Sequence, residues 1–206
     1  MQPVTTPPPR VFNYSLDWRF LLPTSDPKNV FLVFEEDIDF RQTLERVGIH
    51  AAQQLSFTDL QDCKRDRFPV LVLPFGLPMR VEADQVEFYF SLRGYIESGG
   101  YLLVGFNNVL NLRARSQTKY QSSTPHRVAR ELMQAGFTSV KIYGAMPNLS
   151  IPEYMFDLEP RTVRFAFLNR FRRKPAVLKA LRFLRGATSW KRISKFLPCY
   201  FAVGTA

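Results

Sequence analysis

Five short apolar runs recur along the chain: Val30 to Phe34, Phe68 to Leu73, Tyr101 to Phe106, Val140 to Tyr143 and Pro198 to Gly204. Each is four to seven residues long and rich in branched or aromatic side chains, which is the pattern of strands buried on both faces, as in a parallel sheet. His50 to Phe57 predicts a weaker second strand. The polar stretches between these runs keep helical spacing. Phe40, Leu44 and Val47 share one face and Gly48 closes it. Val86, Phe90 and Ile96 set a stripe over 82–96, ending in Ser98-Gly99-Gly100. Val128, Leu132 and Ala135 set another over 123–135, with Thr124 as N-cap, Pro125 in the first turn and Gly136 as the stop. Strands alternating with helices predict a doubly wound α/β fold with a mostly parallel sheet.

Composition agrees with one ordinary domain. The chain has 206 residues, 46% hydrophobic and 14% aromatic, enough to bury a core and to exclude global disorder. Residues 1–11 are Pro/Thr-rich and expected to be flexible; 12–206 form the domain. No apolar run approaches the roughly 20 residues of a membrane span. The N-terminus lacks a basic start followed by an apolar core, which predicts no secretory signal and a cytoplasmic protein. Cys63 and Cys199 lie far apart and read as buried or idle thiols.

Charge changes the picture. The net is +10, yet twelve of the 28 Lys/Arg fall between Arg161 and Lys195, and no acid follows Glu159. The remaining 16 basic residues face 18 acids, so the body of the chain is near neutral and 155–196 reads as a basic helical insertion before the last strand.

Three segments together resemble class I S-adenosylmethionine-dependent methyltransferases: Ile96 to Asn108 (IESGGYLLVGFNN), Arg130 to Asn148 (RELMQAGFTSVKIYGAMPN) and the closing PCYFAVGTA. The lead-in YSLDWRFLLP is similar to bacterial members, and FPVLVLPFGLP sits where their fourth strand carries catalytic or substrate-facing groups. The resemblance implies a Rossmann-like fold and an S-adenosylmethionine site at the strand ends, which would fall on Glu35, Asp37, Asp59, Phe75, Gly76 and Asn107. The chain departs from the family pattern at the first strand. Glu35-Glu36-Asp37 stands where a glycine-rich loop lets the backbone approach the cofactor, and no glycine occurs from Val30 to Val47. About 35 residues separate the first strand from the expected fourth, too few for the usual crossovers, so the first half reads as shortened. These departures imply a methyltransferase-like protein without cofactor or methyl transfer; a divergent active enzyme is the alternative.

Other chemistry has little support. Two histidines, His50 and His126, and two scattered cysteines give no metal-ligand spacing, and no P-loop, GxGxxG or GxSxG occurs. His126 reads as a surface residue at a helix start, the acids 35–39 as a solvated loop or helix start, and Asn107-Asn108 as turn residues at a strand end. In the basic insertion, apolar stripes (Val163, Phe167, Phe171; Val177, Leu178, Leu181, Leu184; Trp190, Ile193, Phe196) alternate with Arg170, Arg172, Arg173, Lys174, Lys179, Arg182, Arg185, Lys191 and Arg192. Three readings stay open: a helical cap with a solvated basic face, an element lying on an anionic membrane at the inner surface, or a docking surface for an acidic protein or peptide. Nucleic acid is the weaker partner because no recognised binding motif accompanies the charge. A homodimer is a further expectation.

Overall fold

The computed structural model describes residues 21–22, 30–34, 54–57, 60, 67–78, 84–110, 120–149, 152–182 and 187–206. Their strands form one sheet: β1 (Val30–Val33), β2 (Gln54–Leu55), β3 (Phe68–Leu73), β4 (Ile96–Asn108), β5 (Ser122–Ser123), β6 (Thr138–Met146), β7 (Tyr154–Asp157) and β8 (Cys199–Thr205). The order is β2-β1-β3-β4-β8-β6-β7, with β5 added beside the end of β4. Pairs β1–β2, β1–β3, β3–β4 and β4–β5 are parallel, while β8 runs antiparallel between β4 and β6 and β7 pairs antiparallel with β6.

The continuous apolar runs are buried on both faces, as a covered parallel sheet requires. Alternate residues divide between two clusters. Val33, Leu71, Leu73, Leu102, Val104, Phe106, Tyr200 and Ala202 point to one face, and Val30, Leu32, Val70, Val72, Leu103, Phe201 and Val203 to the other. The first face is covered by α1 (Gln85–Gly94) through Tyr89 and Leu92 and by α2 (Pro125–Gln134) through Val128 and Leu132. It is also covered by helices of the basic segment, α3 (Pro160–Arg170) through Val163 and Ala166 and α5 (Ala187–Ile193) through Trp190. Between these two lies α4 (Pro175–Arg182), and a short 3-10 turn (Ser194–Phe196) leads into β8.

Local signals account for the helix ends. Asp84 Oδ1 accepts from Val86 N–H at 3.0 Å to start α1. Thr124 Oγ1 accepts from Arg127 N–H at 3.3 Å to start α2, and Gly136 takes φ +89° just past its end, a backbone region open mainly to glycine. The α2 stripe also carries Glu131, which is buried. Its carboxylate is held by Arg127 Nε at 2.7 Å and, with the Gln85 amide turned nitrogen-first, by Gln85 at 2.8 and 3.1 Å. The polar group is buried because it is paired.

Several sequence expectations shift. The helix expected over 82–96 stops at Gly94, and Ser98-Gly99-Gly100 does not end it; these residues lie within β4. A register irregularity between Phe68 and Val70 of β3 accommodates them. A Cβ on Gly100 would come within 2.7 Å of the Pro69 carbonyl oxygen, so close strand approach, rather than helix capping, requires this glycine. Strands β5 and β7 were not expected; both are very short or polar. The segment expected as helical from residue 155 begins as strand β7, and its helices start at Pro160. The helix expected over 40–47 lies outside the described residues, as does most of the first half on which shortening was argued. Residues 56–67 alone link β2 to β3, near the lower limit for a parallel crossover.

Candidate functional site

The C-terminal ends of the parallel strands are where open α/β sheets bind ligands. Of the residues expected to hold a cofactor, Glu35, Asp37 and Asp59 lie outside the described residues. Phe75, Gly76 and Asn107 come together at the ends of β3 and β4. After β3 the chain turns at Pro74 to Gly76, and Phe75 packs on Tyr120 with ring centroids 5.2 Å apart. Gln121 N–H donates to the Leu77 carbonyl at 2.7 Å and its amide to the Pro78 carbonyl at 3.2 Å. Gly76 has φ +81°, and a Cβ there would lie 2.5 Å from the Gly105 carbonyl oxygen. The ring contact with Tyr120 and the close approach to Gly105 fix the shape of this turn. Asn107 sits in the ladder between Cys199 of β8 and Ser122 of β5.

Its neighbour Asn108 is the more engaged side chain. Only 1% exposed, it donates from Nδ2 to the carbonyls of Lys195 (2.8 Å) and Leu197 (2.7 Å), and its Oδ1 accepts from Leu110 N–H at 3.1 Å. Tyr200 donates its hydroxyl to the Ser194 carbonyl at 2.6 Å, and burial holds that phenol protonated well above the ordinary tyrosine range. These bonds tie the exit of the basic segment to the end of β4. Nothing in the sequence marked Asn108 beyond its place at a strand end.

Beside this anchor is a cavity of about 420 Å³. It lies between the end of β4, the start of α2, the Leu158 loop and the α5 exit, and its walls include Leu110, Pro125, His126, Leu158, Lys191 and Lys195. Among the described residues no acid lines it.

The basic residues turn outward. Arg172, Arg173, Lys174, Lys179, Lys191 and Arg192 are exposed. Arg170 pairs with Glu153 at 2.7 Å, and the remaining expected partner residues, Arg182 and Arg185, have side chains outside the described residues. Two large apolar side chains of the same segment are also exposed, Phe165 at 67% and Phe196 at 69%. Among the described residues no group of His, Cys, Asp and Glu could hold a metal, and no helix is long and apolar enough to cross a membrane. Cys199 is a free, buried thiol, which burial pushes up to about 12.

Strands β1 to β6 run in one direction, whereas β7 at the edge and the closing β8, inserted between β4 and β6, run against them, which makes a mostly parallel, Rossmann-like α/β sheet. No protein-family profile matches the chain, and no curated protein matches it. Similar solved structures include an S-adenosylmethionine-dependent methyltransferase from Archaeoglobus fulgidus, at 10% identity and TM-score 0.46, covering 86% of this chain and 85% of that one. Another is an S-adenosylmethionine-dependent methyltransferase from Thermotoga maritima, a possible histamine N-methyltransferase, at 13% identity and TM-score 0.47, covering 87% and 74%.

Proposed function

We propose that this protein is a non-catalytic, methyltransferase-like binding protein whose basic insert docks an acidic segment of a partner protein. The observation that carries the reading is the exposure of the consecutive cations Arg172, Arg173 and Lys174 just after α3 and of Lys179 on α4, together with the exposed ring of Phe165 on α3. Such a surface matches a peptide of carboxylates interspersed with apolar side chains. A membrane surface fits less well. An interfacial helix needs its apolar face free, whereas Val163, Ala166 and Trp190 turn theirs into the core. The glycine-free acidic stretch after β1 supports a scaffold that does not use a cofactor.

The test has two arms. Titration of the full chain with a fluorescent Glu/Leu-rich peptide should give saturable binding that weakens with salt, because screening lengths shorten to about 10 Å at 0.1 M. Charge reversal at Arg172, Arg173 and Lys174 should weaken it at least about tenfold, a difference of about 1.4 kcal/mol. Equal binding of a neutral peptide, or sedimentation with anionic vesicles without peptide binding, overturns the docking reading. Calorimetry with S-adenosylmethionine and S-adenosylhomocysteine should give no heat of binding; micromolar affinity for either would instead support an active, divergent methyltransferase.

A further inference from the structure

We infer that the cavity between the end of β4, the start of α2 and the α5 exit binds a small organic carboxylate with an apolar body. Its volume, about 420 Å³, falls within the range of small-molecule sites. Leu110, Pro125 and Leu158 make the apolar wall. The polar groups of the wall divide into two sets. One set is already engaged: Asn108 with the Lys195, Leu197 and Leu110 backbone, Ser194 Oγ with the Lys191 carbonyl at 2.7 Å, and Thr124 Oγ1 with Arg127 N–H. The other set is Lys191, Lys195 and His126, and no described ion pair involves any of them.

Two exposed lysines in the wall of an apolar hollow lined by no described acid select against cations and favour a single anionic head. The start of α2 adds partial positive charge in the same sense. An apolar body replaces water against Leu110 and Leu158, at about 25 cal/mol per Å² of apolar surface covered. The site exists because the insert docks beside α2: scaffold residues supply the apolar wall and the insert supplies both lysines. It is separate from the exposed surface of Arg172 to Lys174 and does not rest on peptide docking there.

The experiment titrates the full chain with 3-phenylpropionate and octanoate, and with their neutral amides, by calorimetry and amide chemical shifts. Both acids should bind at least about tenfold more tightly than their amides, a step of about 1.4 kcal/mol. Lys191→Gln with Lys195→Gln should remove that preference, and Leu110→Trp, at a position 54% exposed, should block binding of acid and amide alike. Lys141→Gln, at an exposed position of β6, should change nothing, and an unchanged urea midpoint confirms that each variant is folded. Equal affinity for acid and amide, undiminished acid binding by the double lysine variant, or no binding of either acid overturns the inference. None of these variants touches Arg172, Arg173 or Lys174, so failure here is distinct from failure of peptide docking.

Discussion

Replacing Asn108 by aspartate changes one atom's hydrogen-bonding sense and almost nothing in shape. In the native chain Nδ2 faces two carbonyl oxygens, those of Lys195 and Leu197, at 2.8 and 2.7 Å. In the Asn108→Asp variant a protonated carboxyl can donate to one of them, leaving the other without its donor at about 1–3 kcal/mol. An ionised carboxylate there would face two oxygens in a site only 1% exposed, so the folded state must keep the proton. The folded pKa of the introduced acid is therefore raised above its unfolded value of about 3.9. With the folded value raised, stability is greatest below the unfolded pKa and declines as pH rises, by about 1.4 kcal/mol per unit until the folded pKa is reached. At pH 5 the variant is expected to lose about 2–4 kcal/mol and at pH 7 more. Urea unfolding followed by tryptophan fluorescence and circular dichroism measures both, with Asn108→Ala as the control whose loss does not depend on pH. An Asn108→Asp profile parallel to the native one, within about 0.5 kcal/mol at both pH values, would show that these bonds do not hold the insert to β4.

Gly105→Ala places a Cβ 2.0 Å from the Pro74 carbonyl oxygen and 2.9 Å from the Phe201 ring. Overpacking of this kind costs about 1–3 kcal/mol or more, and each kcal/mol lowers Tm by about 2–4 °C in a chain of this size, so calorimetry should show a drop of several degrees. In a Cys63→Ser background, Cys199 should resist thiol reagents until the protein opens. Its thiol rises from 9.0 to about 12 on folding, so its stabilising contribution is complete below about pH 9 and declines towards pH 12. Cys199→Ala should flatten that part of the alkaline profile; an unchanged slope from pH 9 upward refutes it. Trp190→Ala empties a site buried to 2% exposure, 6.2 Å from the Phe167 ring centroid. It should cost about 3–5 kcal/mol and make the segment after Pro160 the first target of limited proteolysis; cleavage elsewhere first counts against the insert as a separately released element.

Legibility in the sequence followed the physics of each signal. Val30 to Phe34, Phe68 to Leu73 and Tyr101 to Phe106 were readable because burial on both faces demands an unbroken apolar run, and these runs became β1, β3 and the centre of β4. Thr124-Pro125 and Gly136 marked α2 to within a residue or two because capping is local chemistry. Gly99-Gly100 misled because a glycine pair serves a helix stop and a strand irregularity equally well, and only the nearness of Pro69 decides between them. The burial of Glu131 has no local sequence signal, since it depends on Arg127, one turn away, and on Gln85 from a different helix. The cavity was out of reach for a similar reason. Leu110 and Lys195 are 85 positions apart and meet only because β8 inserts beside β4.

The placement of the insert also bears on why its charge is tolerated. Twelve cations in 35 residues repel one another, and among the described residues a single carboxylate, Glu153, answers them through Arg170. An exposed pair of that kind contributes about 1 kcal/mol at most, so ion pairing does not hold the insert down. Apolar contact does. Val163, Ala166 and Trp190 are buried at 0–2% exposure on the same sheet face as Leu92 and Leu132, and Asn108 fixes the exit. The two sides of the insert thus have different tasks: the inner side extends the core, and the outer side is left with cations whose mutual repulsion the fold does not relieve. An anion that approaches this surface lowers the electrostatic energy of the folded state without any rearrangement of the scaffold. The proposed carboxylate in the cavity would act on Lys191 and Lys195, and the proposed acidic peptide on Arg172 to Lys174. Each would raise the folding stability of the chain with the logarithm of its concentration once that exceeds Kd, and because both sets of cations belong to one insert, relief at one site lowers the potential felt at the other. The two ligands are therefore expected to compete weakly at low salt and to bind independently once screening separates them.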